Sequence, residues 1–224
     1  CSLHSSARIY DRSLKWVFKK LDFELKELPD WTCCGATSAH SLQEKAAFLL
    51  PARNLLIAER EGTSILAPCS ACYQRLKTTE NELLNEKKKN EELKEALGEI
   101  FKGEIRVFNI LEILHSKLSE IKEKVNSPFS GEKVIPYYGC LLSRIPRVKT
   151  SDDRANPIFM DELLKETGAE VISWPYKTDC CGASFGIIEE NLYQKLSGKL
   201  LEMAKAFGGE YIIACCPFCQ LNLE

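Results

Sequence analysis

Two copies of one five-cysteine pattern constrain this chain more than any other feature. Ten of its 11 cysteines fall into two ordered sets. The first set is Cys1, Cys33, Cys34, Cys69 and Cys72, and the second is Cys140, Cys180, Cys181, Cys216 and Cys219. In both sets 34 residues separate the second cysteine of a Cys-Cys-Gly run from a Cys-x-x-Cys pair. We therefore expect a fold that brings the same five thiols together twice.

The sequence around the cysteines repeats as well, with an offset of 147 residues. Residues 31–36 correspond to 178–183, and residues 65–69 correspond to 212–216. Each half alternates strand and helix patterns, which is typical of mostly parallel sheets. We therefore predict an α/β fold of two pseudo-duplicated strand–helix halves. Each half is expected to carry one Cys-Cys-Gly module at the carboxyl ends of its strands.

Local patterns place the main elements and the boundary between the halves. Strands are predicted at 24–28, 64–67, 134–138, 170–174 and 211–214, and a helix at 157–167. Residues 1–126 are assigned to the first module with appended charged helices, and residues 134–224 to the second. The segment 126–133 is interpreted as the linker, because it contains Pro128 and Gly131.

Two helical patterns end the first half. Residues 77–94 are dense in Glu, Lys and Asn and are interpreted as a solvated helix. Residues 110–125 carry an apolar stripe and are expected to form an amphipathic helix packed on the first half.

Charge and hydropathy argue against a nucleic-acid-binding protein and against a membrane-spanning one. The net charge of −2 argues against a nucleic-acid partner, which would favour a basic surface. No apolar run reaches the roughly 18 residues that a membrane helix needs. Because the chain begins at Cys1 without a methionine, we expect it to be a piece of a longer protein.

The thiols could in principle form disulfides, bind zinc or bind an iron–sulfur cluster. A disulfide scaffold is disfavoured because such domains are usually small and because adjacent cysteines make strained bridges. Metal binding in a reducing cytoplasm is the preferred interpretation. Zinc takes four ligands whereas each set offers five, and a multinuclear iron–sulfur cluster shares five thiolates more naturally. A glycine after each Cys-Cys pair is expected to allow a tight turn.

The cysteine modules resemble those of the B-type subunit of heterodisulfide reductase. The resemblance rests on both Cys-Cys-Gly modules and on the segments 1–7 (CSLHSSA), 29–35 (PDWTCCG) and 216–222 (CPFCQLN), and it extends over essentially the whole chain. It implies that each set of five cysteines given above ligates one noncubane [4Fe–4S] cluster. It also implies a disulfide substrate, coenzyme M–S–S–coenzyme B in methanogens, cleaved between the two clusters by two one-electron transfers. The implied partners are the C-type iron–sulfur subunit and the A-type flavin subunit of heterodisulfide reductase.

The resemblance has two departures. The family places a strand ending in Tyr-x-Gly before the first cysteine, and here only the second half keeps it, as Tyr138-Gly139-Cys140. Cys215 is surplus to both sets and is expected to be a buried residue that is not a ligand.

A few other residues are candidates for supporting roles. His4 follows Cys1 and is a candidate proton donor or a surface residue, and His40 is equally ambiguous. His115 is expected to be structural. Arg144, Lys177 and Asp179 flank the second module and are candidates for contact with an anionic substrate. No nucleotide-binding glycine motif is present, so no nucleotide is expected to bind this chain.

Two other functions remain open. Related Cys-Cys-Gly modules occur in electron-relay subunits of succinate or fumarate reductases and of glycolate or lactate oxidoreductases. Two complete modules favour cleavage of a substrate between clusters, whereas one degenerate copy would favour electron relay. A zinc-bound assembly module without redox activity is the alternative from a different class.

Overall fold

The chain is described here by a computed structural model that covers residues 2–4, 6–36, 43–126, 129, 131–146, 148–186 and 188–224. Two candidate residues, Cys1 and His40, lie outside the described residues.

The described elements alternate helix and strand through most of the chain. The helices are α1 (Arg8–Lys20), α2 (Glu44–Arg60), α3 (Ser70–Asn85), α4 (Lys87–Leu97), α5 (Ile110–Ser116), α6 (Leu118–Lys124), α7 (Cys140–Ser143), α8 (Phe159–Glu166), α9 (Glu190–Ala206) and α10 (Pro217–Leu223). The strands are β1 (Ile65–Ala67), β2 (Val107–Asn109), β3 (Lys133–Tyr137), β4 (Glu170–Val171) and β5 (Tyr211–Ala214). Short 3₁₀ turns lie at Ser2–His4 and Ala183–Phe185. None of the described helices is both long enough and apolar enough to cross a membrane.

Contacts divide the chain into two compact units. The first-module unit consists of Lys26–Asn109 and Ile145–Lys149. The second-module unit consists of Cys1–Leu25, Ile110–Arg144 and Thr150–Glu224. The division of the sequence into modules at 1–126 and 134–224 stays a prediction.

The first-module unit is built on two parallel strands and the helices around them. β1 pairs with β2 in the register Ile65↔Val107 to Ala67↔Asn109. The apolar run that precedes β1 forms α2, which continues through Pro51 without a break. Its residues Leu55 and Ala58 are fully buried, so α2 supplies much of this core.

The second-module unit is built on a three-stranded parallel sheet in the order β4-β3-β5. Its elements repeat those of the other unit at the offset of 147 residues. α9 corresponds to α2, β5 to β1, and the start of α10 to the start of α3. The predicted parallel α/β architecture with pseudo-duplicated halves is confirmed.

Several local predictions differ from the structure. Residues 23–28 are not a strand, and the strand predicted at 170–174 is confined to β4. The helix predicted at 110–125 is broken at Lys117 into α5 and α6, which both pack on α8 in the second-module unit. The same segment also contacts residues 20–23 of the first half, where Lys124 donates to the carbonyl oxygen of Lys20 and Lys117 lies over the ring of Phe23. The expected packing on the first half is therefore confirmed only for these contacts. An apolar stripe shows that a helix has a partner surface, but it does not identify that surface.

One acidic residue of the segment interpreted as solvated is deeply buried. Glu80, in α3, is 2% exposed and lies 2.7 Å from the ammonium group of Lys77. The carboxylate accepts the backbone N–H of Val107 at 3.1 Å, and Lys77 donates to the carbonyl oxygen of Val107 at 3.0 Å. The ion pair thus provides hydrogen-bond partners for the N–H and the carbonyl oxygen of Val107, the first residue of β2.

Glu80→Ala is expected to lower the free energy of unfolding by about 3 kcal/mol, because it leaves Lys77 and the Val107 N–H without their buried partner. Urea unfolding of the anaerobic full-length protein, followed by circular dichroism, measures the change. Glu95→Ala, on an exposed face of α4, is the matched control and is expected to change stability by less than about 0.5 kcal/mol. Equal unfolding midpoints for the two variants would contradict the structural role of Glu80.

Candidate metal centres

The cysteines of the second module follow the carboxyl ends of neighbouring parallel strands. Cys140 comes three residues after β3, and Cys216 comes two residues after β5. Cys216 is the N-cap residue of α10 and Cys219 lies in its first turn. Since residues three apart on a helix share a face, both sulfurs of the Cys-x-x-Cys pair point to one side.

Tyr137, the last residue of β3, lies against this group of thiols. Its side chain is fully buried, and its hydroxyl donates to the carbonyl oxygen of Asp179 at 2.6 Å. Burial raises the pKa of Tyr137, and the charges of four neighbouring thiols raise it further. Those thiols are Cys219, Cys181, Cys140 and Cys180. Thiols from three separate segments therefore lie within electrostatic range of one buried tyrosine.

Within this group the sulfurs are linked in pairs. The Sγ atoms of Cys181 and Cys219 are 3.4 Å apart. Hydrogen bonds to Cys181 and Cys216 raise the pKa of Cys219. The pKa of Cys180 is lowered to about 6, mainly by a hydrogen bond with Cys140 and to a smaller extent by the charge of Arg144. These hydrogen bonds form two groups, one of Cys181, Cys219 and Cys216 and the other of Cys140 and Cys180.

The first module repeats the arrangement with its four described cysteines. The Sγ atoms of Cys34 and Cys72 are 3.0 Å apart. Hydrogen bonds to Cys34 and Cys69 raise the pKa of Cys72. A hydrogen bond with Cys72 lowers the pKa of Cys34 to about 7, with a smaller contribution from Cys33. In each module the pair releases its first proton easily, because the remaining thiol hydrogen-bonds to the thiolate.

Both Cys-Cys loops turn on a glycine in the left-handed region, as expected from the sequence. Gly35 has a φ of 74° and Gly182 a φ of 85°. A Cβ at Gly182 would lie 3.2 Å from the Cβ of Leu196 and 3.3 Å from the backbone of Tyr193, both on α9. This glycine therefore serves the turn and the close approach of the loop to α9.

Gly182→Ala is expected to lower the free energy of unfolding by about 2–4 kcal/mol, because backbone strain and overpacking add. Gly98→Ala is the matched control, since Gly98 has a φ of 77° and nothing lies within 4 Å of the added Cβ. That variant carries the backbone strain alone, about 1 kcal/mol. Thermal or urea unfolding of both variants separates the two contributions, and equal losses would show that contact with α9 is unimportant.

The segment before the first Cys-Cys pair is held by Asn54, which sequence reasoning did not select. The Asn54 side chain accepts the N–H of Thr32 at 2.9 Å and donates to the carbonyl oxygen of Thr32 at 2.8 Å. Asn54 is 6% exposed and lies inside the apolar run of α2. An isolated amide in such a run is a usable signal, because buried polar groups nearly always have partners.

The other candidate residues have varied surroundings. His4 is exposed, and its carbonyl oxygen accepts a hydrogen bond from Arg8. His115 lies 2.6 Å from the Glu162 carboxylate and stacks on Phe159, in keeping with a structural role. Cys215 is buried, as expected, with its sulfur 3.5 Å from the carbonyl oxygen of Tyr138.

The three residues suggested for anion contact do not behave alike. Lys177 is buried and bonded to Asp161 at 3.2 Å, so the expectation that it faces a substrate is wrong. Arg144 is largely exposed and lies 3.8 Å from Asp179. Lys199, on α9, approaches the other oxygen of Asp179 at 3.5 Å.

The donor set fits an iron–sulfur cluster. All ten described cysteines are free of disulfides, and thiolates are the ligands that such clusters require. Among the described residues, no three His, Cys, Asp or Glu side chains are grouped as a site for one metal ion. Linked sulfur pairs are present instead. The assignment of Cys1, Cys33, Cys34, Cys69 and Cys72 to one cluster and of Cys140, Cys180, Cys181, Cys216 and Cys219 to another stays a prediction.

Comparison with known proteins assigns the family. The chain matches the CCG family, described as "Cysteine-rich domain", over residues 1–77 and 134–224. It therefore belongs to that family, whose cysteine-rich domain indicates iron–sulfur binding.

Individual relatives give a finer comparison. The chain is 32% identical to the B-type subunit of the ferredoxin/F(420)H(2)-dependent CoB-CoM heterodisulfide reductase of Methanosarcina acetivorans, over 96% of this chain and 74% of the relative. It is 31% identical to the B-type subunit of the ferredoxin:CoB-CoM heterodisulfide reductase of Methanosarcina mazei, with the same coverage. It is 28% identical to the membrane anchor subunit of the 8-methylmenaquinol:fumarate reductase of Wolinella succinogenes, over 100% of this chain and 79% of the relative. The predicted resemblance to the B-type subunit of heterodisulfide reductase is confirmed, and it indicates that the chain is part of an oxidoreductase.

Proposed function

We propose that this chain is the disulfide-cleaving subunit of a heterodisulfide reductase, with one noncubane [4Fe–4S] cluster held by each module. The observation that carries the proposal is the convergence of thiols in both modules. If the second module had lost some of its cysteines, one site would be unable to bind a cluster. The relatives named as B-type subunits of heterodisulfide reductases support the same assignment.

The proposed reaction converts one disulfide, two electrons and two protons into two thiols. When bound, each cluster supplies electrons one at a time, so two clusters match a two-electron reduction. Cys33 is exposed and Cys180 is partly exposed, so a small disulfide can reach the sulfur-lined part of each module. Tyr137, close to the thiols of the second module, is fully buried and therefore shielded from water.

The residues around Cys180 give the second module a local positive charge. Arg144 and Lys199 share one carboxylate, Asp179, and both are more than half exposed. Two cations with one anion leave an excess positive charge beside Cys180. We propose that this excess attracts an anionic disulfide such as coenzyme M–S–S–coenzyme B, while the C-type iron–sulfur and A-type flavin partners deliver the electrons.

Electron relay without disulfide cleavage is the second candidate function. It is favoured by the similarity to the membrane anchor protein of the fumarate reductase, which extends over the whole chain. In that function the modules would pass electrons to another redox partner, and added disulfide would not be consumed.

Metal analysis and a substrate assay on the anaerobically purified full-length protein separate these functions. About eight irons and eight sulfides per chain are expected for two [4Fe–4S] clusters. Reduced viologen should drive formation of two thiols from each coenzyme M–S–S–coenzyme B, and the disulfide should alter the EPR spectrum. Eight irons with no disulfide consumption would favour electron relay. Zinc without iron would instead support the function of a zinc-bound assembly module without redox activity.

A further inference from the structure

We propose that Tyr138, Asp161 and Lys177 form a bracket that fixes Cys140 against the Cys180–Cys181 loop. These three are positioning residues for the second module alone. The inference rests on the proposed role of the cysteines as metal ligands, and it deepens that role by making the two sites mechanically different.

The bracket begins with a direct connection between the two ligand-bearing segments. The carbonyl oxygen of Lys177 accepts the N–H of Tyr138 at 2.8 Å and the N–H of Gly139 at 3.1 Å. Gly139 precedes Cys140, and Lys177 lies three residues before Cys180. One carbonyl group therefore joins the two segments that carry three of the five thiols.

The side chains of the same residues meet at the start of α8. The hydroxyl of Tyr138 donates to the Asp161 carboxylate and accepts the N–H groups of Met160 at 2.8 Å and Asp161 at 3.1 Å. Lys177 donates to the other oxygen of Asp161 at 3.2 Å and to the carbonyl oxygen of Pro157 at 2.6 Å. The first turn of α8 thus anchors both segments.

Because these contacts are buried, they strongly fix the positions of the segments that carry Cys140 and Cys180. Tyr138 is 1% exposed and Lys177 is 7% exposed. Removing one partner leaves a buried hydroxyl, carboxylate or ammonium group unsatisfied, and the remaining groups can regain partners only if the segments move. Movement of either segment changes the distance between Cys140 and Cys180, which the ligands of one metal centre must keep fixed.

The described part of the first module holds its Cys-Cys loop differently. At the offset of 147 residues, Lys177 corresponds to Asp30, whose exposed carboxylate pairs with Arg53 of α2. The spacing before the Cys-Cys pair differs between the modules, so the offset gives Asp161 no counterpart. The Cys33–Cys34 loop is held by Asn54 instead. A substitution in the bracket is therefore expected to affect the second site and to leave the first unchanged.

Chelator-driven release of iron from the full-length anaerobic protein tests the bracket. Tyr138→Phe keeps the ring and removes the hydroxyl, and Tyr211→Phe, at an exposed tyrosine of the same unit, is the matched control. In Tyr138→Phe half of the iron should leave about 10–100-fold faster than in the wild type, while the other half leaves at the wild-type rate. Lys177→Met should give the same two phases.

The outcomes distinguish a positioning role from general destabilisation. Equal acceleration of both phases would show that Tyr138 acts only through overall stability and would overturn the bracket. Two unchanged phases would also overturn it, although the proposed function would stand. If the protein held zinc in place of iron, the proposed function would fail, and the same two-phase release measured for zinc would still decide the bracket.

Discussion

Cys34→Ala and Cys181→Ala are each expected to remove about four of eight irons per chain and to abolish disulfide reduction. The two residues occupy equivalent positions, and each shares a hydrogen bond with the second cysteine of its Cys-x-x-Cys pair. Even groups that only orient a ligand change metal affinity or activity about 10–100-fold, so loss of a ligand should lower turnover by more than about 100-fold. Iron and sulfide analysis, EPR and the viologen-linked assay measure these effects.

Cys215→Ala is the matched control for these variants. Cys215 is buried beside Cys216, but its sulfur lies near the carbonyl oxygens of Tyr137 and Tyr138. Iron content and turnover should stay at the wild-type values. Full turnover in either Cys34→Ala or Cys181→Ala would contradict cleavage of the substrate between two clusters, because one intact site would then suffice.

The repeat of the cysteines made the main architecture predictable. Strands at 65–67 and 212–214 follow from short apolar runs that end at Cys69 and Cys216, and the structure has parallel strands at both places. The turn glycines were equally predictable, because only glycine readily adopts the φ of 74° found at Gly35. Local pattern and global fold agree at these positions.

The contacts that hold the loops were not predictable from local patterns. Asn54 bonds to Thr32 across 22 residues, and Lys177 bonds to Asp161 across 16. Such bonds satisfy particular backbone or charged groups, and their partners depend on the tertiary arrangement rather than on spacing. The sequence suggests a substrate contact for Lys177 because it shows the charge of this residue. The sequence does not show that this side chain is buried.

The assignment of helices to units was also beyond the sequence. α1, α5 and α6 belong to the second-module unit, although all three precede the second set of cysteines. In α1, Tyr10 donates to the carbonyl oxygen of Cys215 at 2.8 Å, so this helix reaches the strand end that carries Cys216. Chain order predicts neighbours only for short connections.

Asn54→Leu is expected to lower the free energy of unfolding by about 2–4 kcal/mol, because the N–H and the carbonyl group of Thr32 both lose their partner. Leucine has a volume similar to that of asparagine and suits the apolar surroundings of position 54 in α2, so packing should change little. Thr32 precedes Cys33 directly, so the freed loop should also release first-module iron about tenfold faster. Asn54→Leu should therefore accelerate iron release from the first module, whereas the bracket substitutions should accelerate it from the second.

Two further variants decide whether Asn54 acts through these two hydrogen bonds. Asn54→Asp keeps the acceptor for the Thr32 N–H but loses the donor, and should give an intermediate loss of stability. Asn85→Leu removes an exposed amide whose described bonds are to Asn81 in α3, and should change neither stability nor iron release appreciably. Urea unfolding and chelator kinetics measure all three variants. Rapid release of second-module iron in Asn54→Leu would contradict the independence of the two modules, because the Asn54 hydrogen bonds described above are made to Thr32 in the loop of the first.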